Sequence, residues 1–267
     1  MARPVLALLT DFGLRDHYAG AMKGVALSIC PDLTLVDITH DIAPHDVLGG
    51  ALELAACYRY FPSGTIFVAV VDPGVGSARR GIAAEAGDYK FVAPDNGVLS
   101  VVFEETAPRR VVELTERRYA RPTVSRTFEG RDRFAPAAAW LAKGIELSAL
   151  GRPAGSLHAL ELPRPHLDGD RLVGEVVRVD RFGNLVTNID RKTFERMALA
   201  DAGGPLQIHV GSHQVAKVVS TFADAAPGEL CALVGSSDHL EIAANGSSAA
   251  AVLDLGRGAP VHVARHA

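Results

Sequence analysis

The chain has 267 residues, of which 48% are hydrophobic and 22% are charged, with 26 glycines and 15 prolines. This length allows one large domain or two smaller ones with a buried core, and the composition excludes a disordered chain. The net charge of −4 leaves no broad basic field, so we expect no nucleic-acid partner.

The first part of the chain alternates predicted strands with predicted helices. Val5–Leu9 is a continuous aliphatic run that predicts a buried strand, and Thr34–Ile38 and the very apolar Thr65–Val71 predict two more. Apolar residues at helical spacing predict three helices: His17–Ile29, Val47–Tyr60 and Phe134–Lys143. Residues 82–85 and 89–93 predict a hairpin. This order implies an α/β domain over residues 1–160, with a mostly parallel sheet sandwiched by helices.

A different pattern follows residue 160. Residues 161–172, rich in proline and histidine, are predicted to be a linker. Short alternating apolar runs then predict strands: 174–179, 206–210, 214–219, 229–234, 249–253 and 260–264. These segments predict a small all-β domain over residues 173–267, with the form of a barrel.

Cysteines and apolar segments indicate the compartment. Cys30, Cys57 and Cys231 are odd in number, widely spaced and form no CxxC pair, so neither a disulfide framework nor a thiolate metal site is predicted. No apolar run approaches the roughly 18 residues that span a bilayer, and Pro4–Leu9 is much shorter than a signal-peptide core. We expect a soluble, unprocessed cytoplasmic protein that does not bind a membrane.

Asp11 and Asp16 lie in the loop after the first predicted strand. Open α/β sheets gather their ligand-binding groups in such loops. A carboxylate there can accept both hydroxyls of a ribose diol. Alternatively, Asp11 or Asp16 caps the following helix.

Asp72 and Arg79 lie in the loop after the third predicted strand. A proline and two glycines in this loop predict a tight turn that leaves Asp72 at the sheet edge and can fold Arg79 back toward it. An aspartate that stays ionised beside an arginine is a poor base but a fixed acceptor that can orient a water. The alternative is a turn aspartate followed by a surface arginine.

Two further segments carry dense polar side chains. Thr127–Pro136 places alternating charges at the mouth of a predicted helix, which is most often a solvated cap. Asp180–Asn188 contains Phe-Gly-Asn, which is also compatible with a simple β-turn. His40, His45 and His158 lack the spacing with carboxylates that is typical of a metal site, so no metal ligand is predicted.

Five motifs, in the right order over essentially the whole chain, resemble the S-adenosyl-L-methionine hydrolase family, also called SAM hydroxide adenosyltransferases. They lie at residues 10–16, 72–80, 94–99, 127–136 and 180–188. The family is similar in fold to fluorinase and chlorinase. The resemblance implies an α/β domain and a β-barrel domain in a homotrimer. Each active site would lie between the N-terminal domain of one subunit and the C-terminal domain of its neighbour.

The resemblance also implies an activity and a set of substrate contacts. The reaction would be hydrolysis of S-adenosyl-L-methionine, without a cofactor, to adenosine and L-methionine by attack of water at the ribose C5′. By position, Asp11 would hold the ribose hydroxyls. The methionine portion would be held by Asp16, Asp180 and Ser236. The adenine would be contacted by Asn184 and Phe222, the latter by stacking.

Three residues carry the implied catalytic roles. Asp72 and Arg79 match the pair that handles the attacking water, whereas the halogenases have a tyrosine in place of Asp72. Glu129 replaces the histidine of the Thr-Phe-His-Gly-Arg-Asp motif. We expect Glu129 to lie near Asp72 and Arg79 and to accept the proton, because two neighbouring carboxylates do not both ionise easily. The alternative is a salt bridge from Glu129 to Arg131 or Arg79 without a part in the chemistry.

Two alternatives from other functional classes stay open at this point. One is a synthase that uses halide to form 5′-halo-adenosine, against which the negative charge of Asp72 argues. The other is a non-catalytic module that binds S-adenosyl-L-methionine, suggested by Glu129 in place of histidine. The segment Ser237–His239 also departs from the Ser-x-Gly turn that is usual in the family, at the contacts to the substrate carboxylate.

Overall fold

A computed structural model of the protein describes residues 3–199, 204 and 206–265. The chain divides into two compact units, Met1–Leu160 and Glu161–Ala267. No helix in these described ranges is both long enough and apolar enough to cross a membrane.

A six-stranded mixed sheet forms the centre of the N-terminal unit. Its strands are β1 (Val5–Thr10), β2 (Thr34–Thr39), β3 (Ile66–Val70), β4 (Gly81–Ala86), β5 (Tyr89–Pro94) and β6 (Pro108–Glu113). The order is β2-β1-β3-β5-β4-β6, in which β4 pairs antiparallel and the other pairs are parallel. The predicted parallel strands and the β4–β5 hairpin are confirmed. Strand β6 was not predicted because it contains only two consecutive aliphatic residues.

Helices cover both faces of this sheet, as predicted. They are α1 (Tyr18–Ile29), α2 (Val47–Cys57), α3 (Ser100–Glu105) and α4 (Ala135–Ala142), of which α3 was not predicted. Successive residues of β1 point to opposite faces, so Leu6 and Leu8 pack in the core that contains α1 and α4 residues. Ala7 and Leu9 pack in the second core, with α2 and α3 residues. Both faces of β1 are therefore buried, which explains its continuous aliphatic sequence.

The parallel pairing of β1 with β3 brings two predicted motifs to one edge of the sheet. Thr10 and Val70 are partners in this ladder, so the loops that begin at Asp11 and Val71 leave the sheet side by side. Helix α4 is preceded by a π-helical turn, Gly130–Phe134, so the predicted helix begins at Ala135 instead of Phe134. This turn lies within the motif at residues 127–136.

The C-terminal unit is a nearly closed antiparallel barrel, which confirms the predicted barrel. Its strands are β7 (His166–Asp168), β8 (Arg171–Val179), β9 (Leu185–Asp190), β10 (Leu206–Val210), β11 (His213–Val215), β12 (Leu230–Val234), β13 (His239–Ala244) and β14 (Pro260–Arg265). The order is β11-β10-β14-β8-β9-β13-β12, and β7 pairs with β8. The main chain after β11 runs alongside β12 and is hydrogen-bonded to it: Val219 N donates to Ala232 O, and Ala232 N donates to Lys217 O.

Several sequence predictions for this unit need correction. Residues 249–253, predicted as a strand, form helix α6 (Ala249–Leu253), because Ser248 caps its N-terminus and alanine favours a helix. A short apolar run does not distinguish the two structures by periodicity. Helix α5 (Arg191–Leu199) was not predicted, nor were β9 and β13. The predicted linker, residues 161–172, contains β7 and the beginning of β8.

Candidate active site

Asp72 and Arg79 form a buried ion pair at the edge of the N-terminal sheet. Arg79 Nε donates to both carboxylate oxygens of Asp72 at 2.9 Å, and Nη2 donates to Oδ2. The side chains of Arg79 and Asp72 are only 9% and 5% exposed. Arg79 is therefore not a surface residue and does turn back toward Asp72, as the glycines and proline of the loop predict. The guanidinium fixes the orientation of the carboxylate.

The loop between them is held by local backbone contacts. Val75 N donates to Asp72 O at 3.3 Å and Ser77 N donates to Gly74 O at 3.1 Å. Gly76 has a φ of +80°, and a Cβ at this position would lie 2.7 Å from the carbonyl oxygen of Arg126. A side chain at this position would be both strained and crowded. Glycine is thus required for the turn that returns the chain to Arg79.

Glu129 extends the ion pair into a longer chain of charges. Its Oε2 accepts from Arg79 Nη2 at 2.6 Å, and its Oε1 accepts from Arg133 Nη1 at 2.9 Å. The other guanidinium nitrogen of Arg133, Nη2, donates to Leu114 O at 2.5 Å. Glu129 thus lies next to Arg79, as expected, and forms the salt bridge to Arg79 that was the alternative prediction. The predicted alternative of a salt bridge from Glu129 to Arg131 is wrong, because Arg131 pairs with Asp132 instead.

Asp132 is fully buried and organises the segment before the π-helical turn. Its carboxylate accepts from Arg131 Nε at 2.7 Å, from Ser125 N at 2.8 Å and from Arg121 Nη1 at 3.1 Å. Burial alone would raise the pKa of Asp132, but the hydrogen bonds from Arg131, Ser125 and Arg121 outweigh it and hold the pKa below its ordinary value. A solvated cap is therefore the wrong interpretation of this charged segment.

A cleft of about 590 Å³ lies beside this network, a volume typical of small-ligand sites. Asp11, Asp72 and Glu129 line it together with aromatic residues. The rings of Phe12 and Tyr18 pack against Phe128 with centroids 5.9 Å and 5.1 Å apart. Sequence reasoning did not assign these rings, although Phe12 and Phe128 stand inside the predicted motifs. The cleft therefore combines an apolar wall with three carboxylates.

The two acidic residues of the first motif differ in position. Asp11 lines the cleft, and its Oδ2 accepts from the backbone N of His45 at 2.9 Å. Asp16 is exposed and is not among the residues that line the cleft. Neither caps α1, whose N-cap residue is His17 and has no side-chain cap bond. The capping interpretation of this motif is therefore wrong.

In the C-terminal unit, Asp180 and Asn184 lie together in one turn. Asp180 Oδ2 accepts from Asn184 Nδ2 at 2.8 Å, and Oδ1 accepts from the backbone N of Phe182 and Asn184 at 2.9 Å and 2.8 Å. Gly183 has a φ of +85°, and a Cβ there would lie 2.0 Å from Ser248 Oγ. The Phe-Gly-Asn segment is thus a β-turn. The same turn also brings together two of the predicted substrate-binding residues.

The other C-terminal candidates are more exposed. Phe222 is 41% exposed in a short 3₁₀ turn, and Ser236 is exposed between β12 and β13. Within the described part of the chain, no hydrogen bond joins either of them to Asp180 or Asn184. Glu241, which sequence reasoning missed, is a buried carboxyl whose pKa is raised by burial and by the charge of Asp180. An acidic residue among the apolar residues of β13 is the sequence signal for it.

In residues 3–199, 204 and 206–265, no group of three or more histidine, cysteine, aspartate or glutamate side chains is placed to hold a metal ion.

Known proteins resemble this chain over nearly its full length. A protein of Salinispora tropica named (R)-S-adenosyl-L-methionine hydrolase is 40% identical over 94% of each chain. A fluorinase of Nocardia brasiliensis is 31% identical over 98% of this chain and 97% of its own. The crystal structure of an uncharacterized conserved protein from Thermotoga maritima superposes with a TM-score of 0.91 at 37% identity, covering 97% of this chain and 100% of that one.

The family assignment rests on both halves of the chain. The SAM hydroxide adenosyltransferase N-terminal domain matches residues 6–151, which include Asp11, Asp72, Arg79 and Glu129. The C-terminal domain of the same family matches residues 174–262. With these two matches and the relatives above, the chain belongs to the SAM hydroxide adenosyltransferase family.

Proposed function

We propose that this protein hydrolyses S-adenosyl-L-methionine to adenosine and L-methionine, by in-line attack of a water or hydroxide at the ribose C5′. The observation that carries the proposal is the Asp72–Arg79–Glu129 network on the wall of the cleft. The name of the Salinispora tropica relative, an S-adenosyl-L-methionine hydrolase, supports the same activity.

The chemistry requires positioning more than activation. The sulfonium of the substrate is already an electrophile and leaves as a neutral thioether, so no metal or cofactor is needed to activate the leaving group. Holding a water in line with the C5′–S bond is worth up to about 7–11 kcal/mol. Asp72, fixed by Arg79, accepts a hydrogen bond from this water and aims it. Asp11, on the same wall, binds the ribose hydroxyls and fixes C5′.

Water is favoured over halide by charge. The carboxylate of Asp72 lines the cleft and, although Arg79 balances its charge, it presents only acceptor oxygens to a ligand. A halide ion brought to the same place is repelled, whereas a neutral water gains an acceptor. The fluorinase relatives therefore mark the second candidate function, and Asp72 argues against it.

Glu129 acts by orienting Arg79 in this proposal, instead of accepting the proton. Its two carboxylate oxygens accept from two different arginines, Oε2 from Arg79 and Oε1 from Arg133, so Glu129 ties Arg79 to a second guanidinium. A base that removes the proton needs contact with the attacking water. Asp72 serves as the acceptor that orients the water, and the proton passes to solvent.

The remaining substrate contacts follow the family pattern. Asn184 contacts the adenine with Oδ1, because its Nδ2 is bonded to Asp180, and Phe222 stacks on the base. Three residues bind the methionine portion: Asp16, Asp180 and Ser236. These candidates are divided between the two halves of the chain, and the assembly proposed from the family resemblance is a homotrimer whose sites each combine the N-terminal domain of one subunit with the C-terminal domain of its neighbour.

Complementation tests this assembly. The Asp72→Ala and Asp180→Ala variants are each expected to be inactive, and their mixture is expected to regain turnover after subunit exchange, because some sites then contain neither substitution. Sedimentation that shows only monomers would contradict the trimer.

All three cysteines are free thiols, which supports a reducing compartment, and we propose the cytoplasm.

Incubation of the purified protein with S-adenosyl-L-methionine tests the activity directly. Chloride-free buffer is used, and adenosine and L-methionine are followed by chromatography, with Asp72→Ala as the control. Equal amounts of both products, absent from the control, are expected. Formation of 5′-halo-adenosine when fluoride or chloride is added would favour the synthase. Binding of the substrate without any product would instead favour a non-catalytic binding module.

A further inference from the structure

We propose that Arg133 is a positioning residue: it neutralises Glu129 and so keeps the fork of Arg79 aligned on Asp72. The inference rests on the proposed hydrolase function. It concerns a side chain that none of the sequence motifs assigns to a role. Arg133 touches neither Asp72 nor Arg79, and acts on them only through Glu129.

Arg133 completes a continuous chain of hydrogen bonds that starts at a fixed backbone atom. Leu114 O, on the first residue after β6, accepts from Arg133 Nη2 at 2.5 Å. Arg133 Nη1 then donates to Glu129 Oε1 at 2.9 Å, and Arg79 Nη2 donates to Glu129 Oε2 at 2.6 Å. Arg79 reaches Asp72 with the same Nη2 and with Nε. The position of Asp72 thus depends on the ion pairs of this chain, and the bond to Leu114 O anchors its far end.

The charges of the chain alternate and balance. Two carboxylates, Asp72 and Glu129, face two guanidiniums, Arg79 and Arg133. The exposed fractions of the four side chains are low: 5% for Asp72, 9% for Arg79, 13% for Glu129 and 27% for Arg133. Removing one partner from a buried pair leaves an uncompensated charge, which is strongly unfavourable. Without Arg133, two carboxylates would compete for Arg79.

Arg79 is the member of the chain that can respond to this competition. Its Nη2 is shared between Asp72 Oδ2 and Glu129 Oε2. When Glu129 loses the positive charge of Arg133, its attraction for Arg79 is no longer divided, and the guanidinium shifts from Asp72 toward Glu129. The Asp72 carboxylate then loses its fixed orientation, and the attacking water is no longer held in line with the C5′–S bond.

The local fold shows that Arg133 is more than a solvated surface partner of Glu129. Glu129 immediately precedes one π-helical turn, Gly130–Phe134, and Arg133 lies within it; π-helical turns occur often at functional sites. The ring of Phe134 lies 5.3 Å from the guanidinium of Arg79, so the same turn also packs against the far side of that group. Exposed ion pairs between residues four apart contribute little to stability, but Glu129 lies in the wall of the cleft.

A double-mutant cycle tests the proposal. Arg133→Met keeps an unbranched stem but removes the charge and the fork, and Glu129→Gln removes the charge that Arg133 balances. Arg133→Met is expected to lower kcat by roughly tenfold or more, with KM within about twofold, because the water is misaligned while substrate contacts stay. Adding Glu129→Gln is expected to raise kcat by about threefold or more over Arg133→Met, since the uncompensated charge is gone.

Two further variants control for general effects. Arg133→Lys keeps the charge and is expected to retain most of kcat, although it does not form the fork to Leu114 O. Arg117→Met removes an exposed arginine that makes no ion pair within the described part of the chain, and it is expected to leave kcat unchanged. Thermal unfolding of each variant shows whether it is folded.

The outcomes separate this proposal from the proposed function. Wild-type protein without any turnover would refute the hydrolase. With wild-type turnover present, an unchanged kcat in Arg133→Met, or a double variant less active than Arg133→Met, would overturn the positioning role. A crystal structure of Arg133→Met gives a readout that does not depend on activity. In that structure the Arg79 guanidinium is expected no longer to donate to the Asp72 carboxylate. Unchanged hydrogen bonds from Arg79 to Asp72 would also overturn the proposal.

Discussion

Replacement of Glu129 by glutamine separates an orienting carboxylate from a proton acceptor. Glutamine keeps one oxygen, which can accept from Arg79, but it turns an NH2 group toward Arg133. Hydrogen bonds to charged groups contribute about 1.5–3 kcal/mol. Because Arg133 is 27% exposed, water replaces part of the lost bond, and we expect the free energy of unfolding to fall by about 1–2 kcal/mol.

The expected change in turnover is smaller than a lost base would cause. The Arg79 contact to Glu129 survives in the variant, so kcat is expected to fall by less than about tenfold, whereas a general base contributes about 10²–10⁴. The assay is release of adenosine at saturating substrate, compared across a pH series with the wild type. A decrease beyond about a hundredfold, together with the loss of one ionisation from the pH profile of kcat, would refute the orienting role and restore Glu129 as the base.

Three further substitutions test the packing and the charges. Gly81→Ala places a Cβ 2.6 Å from Cε1 of the buried Phe134 ring, so we expect a loss of about 1–3 kcal/mol in urea unfolding and a lower kcat as the ring under Arg79 moves; unchanged values would contradict this packing. Asp132 has a lowered pKa in the folded state, so its stabilisation is present above the unfolded-state pKa and is lost as the pH falls through the folded-state value. Asp132→Asn is therefore expected to reduce stability at neutral pH and to flatten its decline in acid, and an unchanged acid slope would argue against it. Glu241 has a raised pKa, so its contribution is favourable below the unfolded-state pKa and is lost as the pH rises through the folded-state value. Glu241→Gln is expected to melt higher than wild type at neutral pH, and a lower melting temperature would count against this sign.

The sequence predicted the centre of the α/β unit well because β1 and β3 are buried on both faces, whereas β2, predicted as a buried strand, is a partly exposed edge strand. Val5–Leu9 and Thr65–Val71 are continuous aliphatic runs, and a strand of a covered parallel sheet has this pattern. The prediction failed where short runs are ambiguous. Ala249–Leu253 forms a helix because Ser248 caps it, and β13 was missed because Glu241 interrupts its apolar residues. Local sequence carries little information about such short elements.

The same distinction applies to the site: the contact between residues close in the chain was predicted, and the contacts between distant residues were left open or not predicted. The proline and glycines after β3 predicted that Arg79 returns to Asp72, since the bond spans only seven residues and depends on one loop. The bond from Arg79 to Glu129 spans 50 residues, and the sequence left its partner open between Arg79 and Arg131. Nothing in local spacing indicated that Arg133 would contact Leu114 O. That contact exists because α4 packs on the sheet near the end of β6.

By itself, the sequence determined the order of the elements from β1 to β5, the turn that joins Asp72 to Arg79 and the family motifs, because each depends on residues close together in the chain. Only the tertiary structure decided that Asp11 and Asp72 share one cleft, through the pairing of Thr10 with Val70. It also decided that Glu129 bridges two arginines. These contacts join residues that are distant in sequence, and their partners are selected by the packing of strands and helices, which no local pattern encodes.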